Sequence, residues 1–392
     1  MRKTVCLLAA LLLCLTASSA GATRVELEDG RYFILSLGGS YGYARDTAGN
    51  FYVWGDNQYG QLGRGYTNPE FSLNFPRAFE TRNTEIDLSQ VRDVIASTNY
   101  SFLWMEDGTL YGVGNSQYLS LARGEGVYTT HQRIDLPEKP AQVACGFGQV
   151  LVITEQGEVY AWGRNNKGQV GNGSTRHTMT PTKLSLQNIV QVCGGAQFSL
   201  ALDSEGRLWG WGDNEFHIIS PSKEAYYTTP VLIDMGDIQI AAIEAGGYHA
   251  AVVDTEGRVW TWGKNDVFQL GYNTREKPVS QPTQVELPLP VKALSVYSSQ
   301  NYAILSDGSL WSWGNNGYGQ LGRGIRGVVG AVAGECLPGD VILAETGSMF
   351  AQCVLSDGTV LCAGFNNHAE LGARDTSHRN KMTPNGLDLI VE

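Results

Sequence analysis

Few residues in this chain have the types and spacing that chemistry demands. Gly38-Gly39-Ser40-Tyr41-Gly42 fits the G-x-S-x-G pattern, which in hydrolases sets a nucleophilic serine on a strand-to-helix elbow with an acid and a histidine downstream. The six histidines (His131, His177, His217, His249, His368 and His378) are scattered, with no H-E-x-x-H pair. No Cys-x-x-Cys pair, Asp-rich calcium loop or phosphate-cradling glycine loop occurs either. The sequence therefore implies no catalytic residue, no metal ligand set and no cofactor. Asn99-Tyr100-Ser101 and Asn172-Gly173-Ser174 are glycosylation sequons, meaningful only on a eukaryotic secretory route.

The elements that would position any site come from a repeat. A Trp-Gly glycine recurs at Gly55, Gly114, Gly163, Gly212, Gly263, Gly314 and Gly364, at intervals of 59, 49, 49, 51, 51 and 50 residues. Five copies keep the tryptophan (Trp54, Trp162, Trp211, Trp262, Trp313), and Val113 and Ala363 replace it in copies two and seven. Six residues earlier each copy has another glycine, from Gly49 to Gly358, suited to a turn with positive φ. Within a copy, Ile189 to Cys193, Phe198 to Leu202 and Leu208 to Trp211 alternate like strands, and an Asn-containing loop leads to a polar fourth strand. A four-stranded sheet of this size cannot bury both faces alone, whereas radial stacking buries them all. The expected fold is all-β, a seven-bladed β-propeller of four-stranded antiparallel blades over residues 23–392. An excursion at about 66–90 accounts for the long first interval. One terminus is expected to complete the blade at the other end.

Val-x-x-Val-x-x-Gly-Gly, Asp/Glu-Gly-x-Val/Leu-Tyr/Trp-x-Trp-Gly-x-Asn and Gly-Gln-Leu-Gly, recurring in phase over about residues 30–392, resemble the regulator-of-chromosome-condensation repeat. The resemblance implies a seven-bladed propeller. In copies two and four the Gly-Gln-Leu-Gly segment is degenerate, as Leu119-Ser120-Leu121-Ala122 and His217-Ile218-Ile219-Ser220. The founding relatives act on a small nuclear GTPase and bind chromatin. This chain lacks a basic tail and is acidic, so that activity is not carried over.

Repeat geometry explains the G-x-S-x-G match, which falls on the first inter-strand bend of copy one, and it places the tryptophans between blades. It also singles out a loop position, the fourth residue after each Trp-Gly glycine: Tyr59, Tyr118, Lys167, Phe216, Val267, Tyr318 and His368. The neighbouring bends add Tyr41, Tyr100 and Tyr248. Such rings suit a protein-binding face, because they offer large contact area at small entropic cost. The alternative is that they pack between blades or fill the funnel mouth. Cys353 and Cys362 flank the turn of copy seven. A two-residue turn at Asp357-Gly358 would set them opposite each other as a disulfide, and a longer turn would leave two free core thiols.

The N-terminus differs from all that follows. Arg2 and Lys3 precede an apolar run from Val5 to Leu15 and the small residues of 17–22, the pattern of a secretory signal. That run is about half the ~20 residues a membrane span needs. Removing residues 1–22 leaves 26 basic and 39 acidic residues, a net −13, which argues against nucleic acid and anionic membranes as partners. The expectation is an exported monomer that binds a protein partner through one loop face. A secreted enzyme, a carbohydrate-binding propeller and a cell-surface adhesion repeat are the alternatives.

Overall fold

The computed structural model describes residues 18–19, 23–274, 276–327 and 332–391, with the side chains of 18, 19, 23 and 69–74 left aside. The expected signal, residues 1–22, lies outside them except for Ser18 and Ser19. Seven four-stranded antiparallel sheets follow one another over residues 32–78, 91–134, 140–183, 189–233, 240–284, 291–337 and 341–388. These are blades 1 to 7 of the propeller that the repeat predicts. Blade 4 is typical: Ile189–Gly194, Phe198–Asp203, Leu208–Asp213 and Tyr226–Ile233, paired in that order.

Two glycines per blade set its shape. Gly206, in the turn between the second and third strands, has φ +79°. Gly212, after Trp211, has φ +98°, and a Cβ there would lie 2.4 Å from the Gln197 carbonyl. Only glycine lets the third strand cross the second so closely.

First strands converge on the axis, where their bends are linked into a closed ring. Gly39 N donates to Ser97 O (3.0 Å), Phe147 N to Gly195 O (3.2 Å), Ala196 N to Gly247 O (2.9 Å), Gly247 N to Ser298 O (2.7 Å) and Ser348 N to Gly39 O (3.3 Å). Side chains make the other two steps, Ser97 Oγ to Gly146 O (3.0 Å) and Gln300 Nε2 to Gly347 O (2.9 Å). Across this mouth Phe147 of blade 3 meets Tyr297 of blade 6, with ring centroids 5.2 Å apart.

The core is divided into clusters at the seams between blades. The five repeat tryptophans are all buried, and four donate Nε1–H to a carbonyl of the preceding blade: Trp54 to Glu370, Trp162 to Ser120, Trp211 to Gln169 and Trp262 to Ile218. Each buries roughly 200 Å². Where the tryptophan is missing, the fourth strand fills the gap. His131 in blade 2 and Met382 in blade 7 occupy the register that holds Pro76, Pro181, Pro230 and Pro282 in four of the five tryptophan blades, and Ala333 in blade 6. Gly63 packs on the His131 ring and Gly322 on Met382, just as Gly171 packs on Trp211.

Ring closure differs from the expectation. Blades 1 and 7 are each built from one continuous stretch, and among the described residues neither terminus supplies a strand to the other. Seam 7–1 is instead held by Trp54, by the bend bond from Ser348 and by the last residues. Thr47 N donates to Leu389 O (2.9 Å), Val391 N to Thr47 Oγ1 (2.9 Å) and Arg31 to Val391 O (2.6 Å). The strand Thr23–Glu26 pairs with the axial edge of Tyr32–Leu37 and so enters the central channel.

The disulfide expectation is corrected. The turn of blade 7 is one residue longer than two, with Val354 opposite Val360, so Cys353 pairs with Leu361 and Cys362 with Gln352. A one-residue shift turns the two thiols to opposite faces of the blade. Cys353 joins the seam with blade 6 and Cys362 the seam with blade 1, both buried and free.

Candidate functional site

The loops between third and fourth strands share a face with the bends between first and second strands. Two side chains of the repeat hold the loops of blades 1, 3, 5, 6 and 7, and blade 4 keeps the first of them. An asparagine two residues after the Trp-Gly glycine accepts from the backbone N–H five residues later: Asn57 from Leu62, Asn165 from Val170, Asn214 from Ile219, Asn265 from Leu270, Asn316 from Leu321 and Asn366 from Leu371. The glutamine of Gly-Gln-Leu-Gly accepts the backbone N–H of the singled-out position itself. Gln61 takes it from Tyr59, Gln169 from Lys167, Gln269 from Val267 and Gln320 from Tyr318, and Glu370 takes it from His368. Each such side chain therefore springs from a backbone fixed before any partner arrives.

The residue at this position reaches the one directly after the Trp-Gly glycine of the next blade. The Arg164 guanidinium lies 4.8 Å from the Tyr118 ring centre, and Lys264 Nζ lies 5.0 Å from that of Phe216 and 5.5 Å from that of Tyr248. Tyr318 packs edge-on to Phe365 at 4.8 Å, and Lys167 pairs with Asp213 at 3.2 Å. Two histidines at matching places in their loops complete the aromatic seams. His177 lies 5.5 Å from Tyr118, and His378 lies 5.3 Å from Tyr318 and 4.9 Å from Phe365. Each accepts a backbone N–H at Nδ1, from Asn165 and Asn366, which suits neutral rings, and burial lowers the pKa of both.

Of the sequence candidates, Tyr59, Tyr118, Phe216 and Tyr248 are half-buried on this face, while Tyr318 and His368 are exposed. His368 is further tied to Glu370 through Nδ1 at 3.1 Å. Tyr41 and Tyr100 do not belong with them. They open the second strand at the register of Gln149, Phe198, His249, Gln300 and Phe350, all interior, and are 0% and 3% exposed. Their hydroxyls donate to Tyr100 O (2.6 Å) and Gly146 O (3.2 Å), and burial pushes both phenols well above their ordinary range. These two rings tie blade to blade. Tyr248, one residue earlier in register than His249, faces out. The sequence alignment of the bends was one residue too coarse to separate the two sets.

Residues that sequence reasoning missed are the partners just named: Arg164, Lys264, Phe365, His177 and His378. Their regular place after Trp-Gly, or twelve residues past the Asn, was the available signal. Tyr118, Arg164 and Phe147 line a cleft of about 240 Å³ with Asn99, Asn115 and Gln117.

The G-x-S-x-G match sits on a strand–bend–strand, where Ser40 O accepts the Asp56 N–H, and no helix follows it. Among the described residues no group of three or more His, Cys, Asp or Glu could hold a metal ion, and no helix is long and apolar enough to cross a membrane. Two carboxylates, Glu244 and Glu345, do stand on the channel-lining strands, but they are 1% and 3% exposed, below the mouth where Phe147 meets Tyr297.

Comparison with known proteins matches residues 127–391 to the RCC1-like domain and residues 48–104 to the regulator of chromosome condensation (RCC1) repeat. The chain is 29% identical to the mouse E3 ubiquitin-protein ligase HERC2 over 69% of its own length, which spans 6% of that protein. It is 29% identical to the ultraviolet-B receptor UVR8 of Arabidopsis thaliana, over 69% of this chain and 60% of the receptor. Among solved structures, Prp20p of Saccharomyces cerevisiae superposes with a TM-score of 0.77 at 18% identity, over 86% of this chain and 85% of that one.

Proposed function

The chain belongs to the family of the RCC1-like domain, and from that premise we propose that it is an exported scaffold that grips a protein partner with its loop face. The observation that carries this reading is the set of aromatic and cationic seams, Tyr118–Arg164, Phe216–Lys264 and Tyr318–Phe365, set around one face. Tyr118 and Phe216, half-buried beside cations, and the exposed Tyr318, whose backbone N–H is held by Gln320, resemble the anchors that dominate protein interfaces. Prp20p, of the same fold, was crystallised in a study of its binding to Gsp1p and histones, and protein binding by a relative supports the reading without naming a partner here. The acidic balance of the chain favours a partner with a basic rim.

Capture of the native partner by the chain beginning at Thr23 tests this. The triple variant Tyr118→Ala, Phe216→Ala, Tyr318→Ala is expected to weaken binding at least 100-fold, since anchor rings typically contribute about 2 kcal/mol or more each. Its melting temperature should fall only a few degrees, because all three rings are partly solvent-facing. Glu158→Ala with Lys183→Ala, an ion pair at the far end of blade 3, should bind as wild type. Loss of binding in that control, with the triple variant unaffected, would reverse the assignment of the face.

A further inference from the structure

Among the described residues, seams 2–3 and 4–5 are the two on the loop face that set a ring of one blade against a cation of the next, and they differ at one position. In seam 4–5 a third group completes the set. Tyr248 lies edge-on to Phe216 with ring centroids 5.3 Å apart, and Lys264 Nζ sits 5.0 and 5.5 Å from the Phe216 and Tyr248 ring centres. Tyr248 directly precedes the second strand of blade 5, and its carbonyl accepts the Lys264 N–H. In seam 2–3 the residue of that register is Gly148, whose carbonyl accepts the Arg164 N–H at 2.9 Å. Tyr118 and Arg164 hold the places of Phe216 and Lys264, and the bend adds no side chain to them.

Blade 3 stands alone in this. The other bends carry Ser40, Asn99, Gln197, Tyr248, Ser299 and Met349 at the same register. The backbone of blade 3 is shaped for the gap. Gly148 has φ +120°, and a Cβ there would lie 3.0 Å from Tyr118 Cδ2 and 3.0 Å from Arg164 Cβ. Only glycine suits such a position. The space beside it is the cleft of about 240 Å³, with Phe147 at its axial end and Asn99 and Asn115 in its blade 2 wall. A cavity of about 150 Å³ is enough to take up benzene.

The molecule itself shows which group fits beside such a pair, because blade 5 fills the equivalent place with a tyrosine. Charge points the same way. No carboxylate lines the cleft, and its one cation, Arg164, already spends Nε on Asn166 Oδ1 at 3.0 Å while lying over the Tyr118 ring. An electron-rich ring adds a second cation–π contact there without asking Arg164 to leave the first. The carboxamides of Asn99 and Asn115 suit the hydroxyl of that ring.

We propose that the cleft between blades 2 and 3 receives a tyrosine side chain of the protein partner. Its ring takes beside Tyr118 and Arg164 the place that Tyr248 takes beside Phe216 and Lys264. The proposal rests on the loop-face reading and gives one contact of that face its chemistry.

N-acetyl-tyrosinamide is the probe, titrated against the full-length chain and followed by saturation-transfer NMR. Saturable transfer to its ring protons is expected, with N-acetyl-leucinamide and N-acetyl-aspartamide about tenfold weaker or more. Tyr118→Ala and Arg164→Ala should each weaken the tyrosyl probe about fivefold or more, and both should melt within a few degrees of the wild type because the side chains are half-buried at the rim. Tyr248→Ala supplies a gain that misfolding cannot mimic. It opens the matching place in seam 4–5, so the double variant Tyr118→Ala, Tyr248→Ala should regain the probe. No saturable binding, binding indifferent to Tyr118, or preference for the aspartyl probe overturns the proposal. If the cleft fails in this way while the Tyr118, Phe216, Tyr318 triple variant still loses the native partner, the loop-face reading stands and the tyrosine site alone falls. A probe bound as expected, with the partner captured equally by the triple variant, overturns the loop-face reading instead.

Discussion

Replacing Trp54 by alanine is expected to lower unfolding stability by about 3–5 kcal/mol and to open the ring between blades 7 and 1. Trp54 is fully buried, its Nε1–H donates to Glu370 O at 2.9 Å, and its ring packs on Gly372. Truncation removes the largest side chain of that seam and leaves a buried carbonyl without its donor. Trp211→Ala makes the same chemical change at seam 3–4, where Trp211 Nε1–H donates to Gln169 O at 2.8 Å. There the chain itself joins the two blades, whereas no covalent connection crosses seam 7–1. Hydrogen exchange should therefore speed up around Thr47 and 389–391 in the Trp54 variant while global protection elsewhere is largely kept. The Trp211 variant should instead lose protection cooperatively. Equal exchange at seam 7–1 in both variants would show that closure does not depend on Trp54.

The second large effect is an acid sensitivity centred on His131. This ring is 1% exposed, neither nitrogen has a hydrogen-bond partner, and it packs against Phe79 at 5.8 Å and over Gly63. Burial pushes its pKa down to about 3. The unfolded chain takes up the proton near pH 6.5 and the folded one does not, so stability is full above pH 6.5 and falls as the pH drops toward 3. The slope is about 1.4 kcal/mol per pH unit, or roughly 2 kcal/mol lost by pH 5. His131→Met, borrowing the residue that blade 7 uses at this register, should flatten this part of the profile while keeping stability at pH 7.5 within about 1.5 kcal/mol. Urea midpoints at pH 7.5, 6 and 5 measure it. A variant as acid-sensitive as the wild type would place the titrating group elsewhere.

His131 also shows where the sequence stops being legible. The Trp-Gly period revealed the blades because glycine is forced at a close crossing and tryptophan at a seam, and both needs recur in every copy. The exchange of Trp and Pro for Val and His, or for Ala and Met, was equally present in the residues. It was invisible until strand register joined positions some twenty residues apart. Register likewise separated interior Tyr41 and Tyr100 from outward Tyr248, and one extra turn residue parted Cys353 from Cys362. Both errors come from the period-2 geometry of strands, in which a single residue decides the face. The loop position was found correctly as a place, but its bridging to Arg164, Lys264 and Phe365 depends on the neighbouring blade.

The central claim is that the face carrying the Asn- and Gln-held loops is the one that engages a protein. Hydrogen exchange of the mature chain, free and bound to its native partner, tests it most directly. The account predicts new protection in 56–60, 115–119, 164–168, 213–217, 264–268, 315–319 and 365–369, with the turns at Gly157, Gly206 and Gly257 unchanged. Protection confined to those turns, with the loops exchanging as in the free chain, would contradict it.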